Sequence, residues 1–178
     1  MSPAAGVLLV ATSVLDDPNF HRAVVWLAEH GDDGTLGFII NRPLEMPLAD
    51  LWEGCPEPLA DLRCAAEGGP VERNKGLLVH GLATLPDTAL LHHGLYVGGS
   101  LDHLAKRWSQ GPDAFGPRLF LGHSGWSPGQ LDREIASGAW ILRPGRLDLI
   151  LRPPTDGDAL WEELAHRRTS ETGEPSVN

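Results

Sequence analysis

Residues 122–131 read Gly-His-Ser-Gly-Trp-Ser-Pro-Gly-Gln-Leu, so that Ser124 stands beside His123 in a glycine-rich segment. A serine held on a tight glycine turn between a strand and a helix is how acyl-transfer enzymes present a nucleophile. The elbow pattern of that chemistry is G-x-S-x-G, and here Trp126 occupies the position of its last glycine. Neighbours on a tight turn point in different directions, so His123 is badly placed as a base for Ser124. Another histidine has to arrive from elsewhere in the fold. The same residues also spell a helix start: Ser127 suits the N-cap, Pro128 suits N1, and Gln130 falls at N3 to close a capping box. Trp126 and Leu131 then occupy N′ and N4 as a hydrophobic staple, a packing task that needs no chemistry.

Other chemistry is thinner. Free N–H groups at the start of that helix could hold an anion, but Ser127 and Gln130 already satisfy some of them. Gly68-Gly69-Pro70 and Gly98-Gly99-Ser100 match neither G-x-G-x-x-G nor a Walker loop, and they read as turns. Asp16, Asp17, His21, His30, His80, His92, His93 and His123 form neither H-x-H nor H-E-x-x-H. A metal site would have to be assembled by the fold alone, and no cofactor is expected. Asn41-Arg42-Pro43 closes a strand: Pro43 keeps Arg42 extended and Asn41 can bond local backbone, or the pair can serve at a pocket mouth.

Size and charge narrow the class. The 178 residues, 42% of them hydrophobic, suffice for one sizeable core, so a single domain over residues 1–168 is expected, with a disordered polar tail over 169–178. The formal charge of −10 stays negative even with all 8 histidines protonated, which disfavours nucleic acid and anionic membranes as partners. Lys106-Arg107 and Arg167-Arg168 are short pairs placed in last helical turns, where they complement the helix dipole. Cys55 and Cys64 have neither C-x-x-C spacing nor a histidine motif beside them. The apolar run over residues 4–15 lacks a basic lead, since the first arginine is Arg22, and no stretch is long enough to span a bilayer. A cytoplasmic location is expected.

The elements that position these residues follow from periodicity. Residues 6–12 form a short buried strand; residues 22–29 and 35–41 flank Gly31-Asp32-Asp33-Gly34 as a hairpin with a four-residue turn. Prolines confine the next stretch to a helical turn around residues 48–52. Residues 76–80 and 95–97 are strands, and Ser100 caps a helix whose Leu101, Leu104, Ala105 and Trp108 share one face. Residues 118–121 form a strand that leads into the loop at Gly122, and Gly138 ends the helix begun at Pro128. Residues 140–142 and 147–151 are expected to pair as a hairpin across Pro144-Gly145, and Asp156 or Asp158 caps a final helix carrying Leu160, Trp161, Leu164 and Ala165. About nine strands and three helices, mixed along the chain, make an α/β or α+β domain. Most of the six tryptophans are assigned to its core.

Several separated motifs carry a family likeness. Asp17-Pro18-x-Phe20-x-x-Ala23-Val24-Val25 with Glu29-His30, then Gly37-x-x-x-Asn41-Arg42-Pro43, Gly68-Gly69-Pro70-Val71, the strand ending in His80, and the stretch 122–140 together resemble the YqgE/AlgH family of bacterial proteins. The resemblance implies a bifurcated mixed sheet curled into a pseudo-barrel with about three packing helices. It implies no reaction; a transcriptional-regulator label attached to the AlgH branch comes without a DNA-binding motif. The family commonly has Gly-Tyr-Ala-Gly-Trp where this chain has Gly122-His123-Ser124-Gly125-Trp126. Ser124 is therefore not a nucleophile the family shares.

The expectation is a non-enzymatic protein acting through an unidentified protein partner, with a regulatory role implied by the resemblance. The alternative is a small-ligand binder or hydrolase with a pocket near Asn41, His80 and His123. The candidate surface is Asn41, Arg42, His80, His123, Ser124, Gly125 and Trp126.

Overall fold

Strands whose residues are apolar without alternation must be covered on both faces, and β1 (Leu8–Ala11) shows how. Leu8 and Val10 enter one core while Leu9 and Ala11 enter another on the opposite side of the sheet. Residue by residue, β2 (Val24–Gly31) does the same, with Val24, Trp26 and Ala28 inside and Val25 and Leu27 outside. The computed structural model describes residues 1–166. The expected polar tail and the Arg167-Arg168 pair lie outside the described residues.

β2 turns back into β3 (Gly34–Ile39), and Gly31 pairs with Gly34, so the loop is the two residues Asp32 and Asp33 rather than four. After β4 (Pro43–Leu44) and the single turn α1 (Leu48–Leu51) come β5 (Ala65–Glu67), β6 (Val71–His80), β7 (Thr88–His92) and β8 (Leu95–Gly98). Then follow α2 (Leu101–Arg107), β9 (Arg118–Trp126), α3 (Gln130–Ala136), β10 (Trp140–Arg143), α4 (Leu147–Leu151) and α5 (Gly157–Ala165). The ten strands form one mixed sheet in the order β10-β1-β2-β3-β9-β6-β8-β7, with β4 and β5 as a side branch on β9. Of the five helices, α2, α3 and α5 have seven residues or more and correspond to the three expected.

The sheet forks at β9. Its first half, over Leu119 to Leu121, pairs in parallel with β5; its second half, over Ser124 to Trp126, pairs antiparallel with β3. Gly68 sits in the fork, its N–H donating to Leu121 O at 2.7 Å and its carbonyl accepting from Ile39 N at 2.8 Å. Beyond the fork the sheet curls without closing. His92 of β7, the last strand in order, accepts a hydrogen bond from Trp26 Nε1 of β2 at 2.7 Å across the interior.

Inside the curl lie Trp26, Phe38, Phe120 and Leu95, sealed by Ile150 and Leu151 of α4 and Leu160 and Leu164 of α5. Outside, α3 covers β1, β2 and β3 with Leu131, while Leu104 and Trp108 pack with Leu48, Leu59 and Cys64 around β5. Asp156 caps α5, accepting from the N–H groups of Asp158 and Ala159. Leu101 is 46% exposed and stands off the α2 stripe.

The expected second hairpin does not form. β10 pairs with β1, and residues 147–151 are the helix α4, so no hairpin crosses Pro144-Gly145. Leu147, Ile150 and Leu151 fall at i, i+3 and i+4, and a run this short fits either period until a partner decides. β7 carries no periodic signal in the sequence; its pairing partner is β8.

The fork predicts a contrast between two glycines of positive φ. A Cβ on Gly122 (φ +74) would meet Gly69 O at 2.4 Å, whereas one on Gly138 (φ +84) meets nothing within 4 Å. Gly138→Ala is expected to lose roughly 1–2 kcal/mol from backbone strain alone. Gly122→Ala is expected to lose at least about 3 kcal/mol in urea denaturation, because backbone must also move. Equal losses would show that the fork is slack.

Candidate functional site

The second half of β9 decides where the candidate residues point. Sequence reading ends the strand at Leu121 and begins a loop at Gly122; instead the strand runs to Trp126 because β3 supplies pairing partners from far along the chain. Strand alternation therefore governs. His123 lines the open end of the curl, while Ser124 is fully buried, and its hydroxyl donates to Gly68 O at 3.2 Å. Ser124 is thus not on an exposed strand-to-helix turn, and its hydroxyl is engaged within the fork.

Trp126 packs against Phe20 and Trp140 with ring centroids 5.9 Å away in each case. Glu134 Oε1 accepts from both indoles, from Trp126 at 3.1 Å and from Trp140 at 2.9 Å. Leu131 joins the same core, as a staple requires. The cap differs from expectation. α3 begins at Gln130 with Gly129 as N-cap at φ +79, and only the returning half of the capping box forms, Ser127 N–H donating to Gln130 Oε1 at 3.0 Å. The helix ends as expected: Gly138 N–H donates to Ile135 O and Ala139 N–H to Glu134 O, a complete Schellman motif.

Asn41 and His80 are buried and spent on backbone. Asn41 Oδ1 accepts from Val24 N at 2.8 Å, and its Nδ2 donates to Arg22 O and Gly157 O, so it ties β2 and the start of α5 to the end of β3. Arg42 donates to Asn19 O and His21 O, and burial holds its guanidinium pKa below the ordinary value. His80 Nδ1 accepts from Leu82 N at 3.0 Å, which leaves Nε2 to donate to Gly98 O at 2.7 Å. Its ring also stacks on Tyr96. Neither Asn41 nor His80 lines the clefts that His123 borders.

Those clefts are the open end of the curl. An inner one of about 200 Å³ has Phe38, Leu77, Leu91, Val97 and Phe120 as its walls, and Glu29, Lys75 and His123 at its rim. A shallower one of about 450 Å³ shares Glu29, Leu36 and His123 and extends over Asp33, Gly125 and Trp126. Glu29 reaches this rim because the β2–β3 register shifts between Leu27 and Glu29, inserting Ala28 as a bulge. Among the described residues, the side chains of Glu29 and His123 make no hydrogen bond or ion pair within the chain. Sequence reading singled out His123 and missed Glu29, Lys75, Phe38 and Phe120, because a bulge leaves no local mark.

Activated groups are scarce. Burial raises both thiols, Cys64 to about 11, so neither is a ready thiolate at neutral pH. Among the described residues, no three His, Cys, Asp or Glu side chains gather closely enough to hold a metal ion. No described helix is long and apolar enough to cross a membrane.

A family profile described as AlgH-like matches residues 8–172. A UPF0301 protein of Streptomyces avermitilis is 31% identical over 202 residues, spanning 100% of this chain and 97% of its own. Another, of Thermobifida fusca, is 34% identical over 181 residues, 93% of this chain and 87% of its own. The solution structure of the AlgH protein from Pseudomonas aeruginosa superposes with a TM-score of 0.71 at 28% identity, covering 93% of this chain and 90% of that one. A crystal structure from Corynebacterium diphtheriae gives 0.70 at 25% identity, covering 94% and 88%.

Two outcomes follow. Ser124→Ala removes one hydrogen bond from a carbonyl that keeps a second donor in Ile39 N, so it is expected to lose only about 1 kcal/mol. The pKa values of His80 and His92 are both lowered, chiefly by burial, so the unfolded chain binds protons more readily than the native one. Stability is then expected to fall as pH drops through about 6.5, and a His80→Gln variant to show a shallower fall, both read by urea denaturation at fixed salt.

Proposed function

We propose, for a chain that belongs to the AlgH-like family, a binding task rather than a catalytic one. The open end of the curled sheet engages a partner protein, and any regulation is exerted through that partner. One observation carries this reading: an apolar cleft opens beside Glu29 and His123, two polar side chains with no hydrogen-bond or ion-pair partner among the described residues. Side chains that the fold does not use, at the mouth of an apolar recess, are what a contact surface offers.

The chemistry of the partner follows from the rim. Glu29 and Asp33 border the shallow cleft, and the whole chain carries −10, so the fitting segment presents an apolar side chain flanked by lysine or arginine. The same charge disfavours direct contact with DNA. Catalysis draws no support from Ser124, whose hydroxyl is buried and engaged, nor from thiols whose pKa is raised. Free thiols at Cys55 and Cys64 suit the reducing cytoplasm, where we place the protein. A small apolar ligand is the second reading, favoured by the hydrophobic walls of the inner cleft. This cleft includes His123, while Asn41 and His80 lie outside its lining.

Glu29 is exposed, so Glu29→Lys is expected to leave stability within about 0.5 kcal/mol. The same change should abolish capture of a basic, apolar-tipped partner from lysate, and capture by the wild type should weaken with added salt. Capture that survives Glu29→Lys and His123→Ala together sinks the proposal. A thermal shift with a small apolar compound that His123→Ala removes, in a chain that captures no protein, favours the second reading.

A further inference from the structure

At the far end of β9 from His123, a fully buried cation stands without an acid. Arg118 is 0% exposed; its Nη1 donates to Ile150 O at 3.0 Å and Arg152 O at 3.4 Å, and its Nη2 to Ile40 O at 3.0 Å. Its guanidinium lies over the Phe120 ring, 4.9 Å from the centroid. Its Nε is buried and has no hydrogen-bond partner, the one such side-chain atom among the described residues. Burial of an ionised group is costly unless an opposite charge or a full set of hydrogen bonds offsets it. Carbonyl dipoles offset part of that here. Burial still pulls the Arg118 pKa down to about 10, and the ionisable neighbour that counters it is the Cys64 thiol, itself raised to about 11 and so uncharged at neutral pH.

The elements that hold Arg118 also build a cleft of about 300 Å³. Its walls include Cys64, Pro117 and Leu151, and Arg63 and Arg152 stand at its surface. Asp113 is the acid on this cleft, and its carboxylate is taken by Arg107 at 2.7 Å and by Trp108 Nε1 at 3.2 Å. Arg73 pairs with Glu67 and Arg146 with Asp148, while Arg42 is spent on the carbonyls of Asn19 and His21 and Arg22 lies over the Trp161 ring. Among the described residues Arg63, Arg118 and Arg152 form no ion pair; in a chain of net charge −10, Arg63 and Arg152 line this cleft, and Arg118 lies buried behind it, bonded to Arg152 O. Arg63 spends one Nη1 donor on Glu45 O, which fixes its stem and leaves its other donors free.

We infer that this cleft is a binding site for a small oxyanion, a phosphate or dicarboxylate group, held by the guanidinium groups of Arg63 and Arg152 over the buried charge of Arg118. Planar guanidinium donors match the paired oxygens of either group, and a cleft backed by low-dielectric protein strengthens the attraction. The anion supplies the negative charge that the fold leaves out beside Arg118. This site is independent of the mouth of the curl and does not rest on partner binding there.

Titrations of the full chain with sodium phosphate, malonate and chloride at matched ionic strength test the inference, read by calorimetry and by thermal shift. Saturable binding of phosphate or malonate over chloride is expected, and which of the two saturates identifies the group. Arg63 and Arg152 are both exposed, so Arg63→Gln with Arg152→Gln should stay folded and weaken binding by roughly tenfold or more. On the wild-type chain, the Arg118 Nε–H resonance should move along the same saturation curve, a readout that needs no variant. A response no different from chloride overturns the proposal. So does phosphate binding that persists in the double variant, which would mark an adventitious ion elsewhere, or an Arg118 signal that stays still at saturation.

Discussion

The close approach of Gly68-Gly69 to Gly122-His123 is the contact on which the rest of the architecture depends. At this point β9 must exchange one neighbour for another, β5 for β3, while keeping β6 on its other edge. A strand can serve two diverging neighbours on one side only if their backbones come nearly together where they part. A Cβ on Gly69 would lie 2.2 Å from His123 O, and one on Gly68 2.5 Å from Gly122 O, so side chains are excluded from both. Gly68 then bonds β9 through its N–H and β3 through its carbonyl, and the Ser124 hydroxyl adds a second donor to that carbonyl. From this junction β3 and β5 splay apart, the sheet curls, and one end of the curl is left open. His123 is the first residue past the junction whose side chain faces inward, so the geometry of the mouth follows from the geometry of the fork.

What the sequence discloses and what it conceals divide along the range of the forces involved. The β2–β3 hairpin, the Asp156 cap and the Gly138 helix end are fixed by contacts within a few residues, and each is legible as such. The second half of β9 is not, because glycines at 122 and 125 mark a loop by every local criterion. The residues that draw Ser124, Gly125 and Trp126 into the sheet are Gly37, Leu36 and Thr35 of β3, far away along the chain. The failure of the expected Ser127 cap has the same origin. Once β9 is drawn out to Trp126, the chain turns through Pro128 and a left-handed Gly129 before it can coil, and the serine hydroxyl is left outside the helix. Residues 147–151 carry only five positions of pattern, and their helical form is settled by burial of Ile150 and Leu151 against the interior. Of the candidate site, the residue His123 could be named from sequence. Its companion Glu29 could not, since the bulge that turns it into the mouth belongs to a pairing register and not to a motif.

Four of the buried polar residues share one function. Asn41, His80, Ser124 and Arg118 are each spent on main-chain groups: strand ends, turn carbonyls and the last carbonyls of α4. A sheet covered on both faces buries the irregular backbone at its corners, and those peptide groups need partners that no neighbouring strand supplies. Residues that look catalytic by type are therefore consumed as structural donors and acceptors. This explains why the pocket imagined around Asn41, His80 and His123 resolves into three separate places. It also makes the unspent groups informative: a polar side chain facing an apolar recess without a partner has no structural reason for its position.

Charge is distributed along β9 in a way that keeps its two ends apart. Arg118 opens the strand and His123 follows five residues later, about 16 Å along an extended chain. At physiological salt, fields between exposed charges fade within about 8 Å, so the acidic mouth and the arginine-lined cleft do not sense each other through solvent. One physical route between them runs along β9. Phe120 is the natural intermediary, since its ring lies beneath the Arg118 guanidinium and also forms a wall of the inner cleft. A shift of Arg118 on gaining a counter-charge would be felt first by that ring, and the ring borders the space in which a partner's apolar side chain would sit. The strand that forces the fork thus carries both Arg118, buried behind the arginine-lined cleft, and His123, at the rim of the mouth.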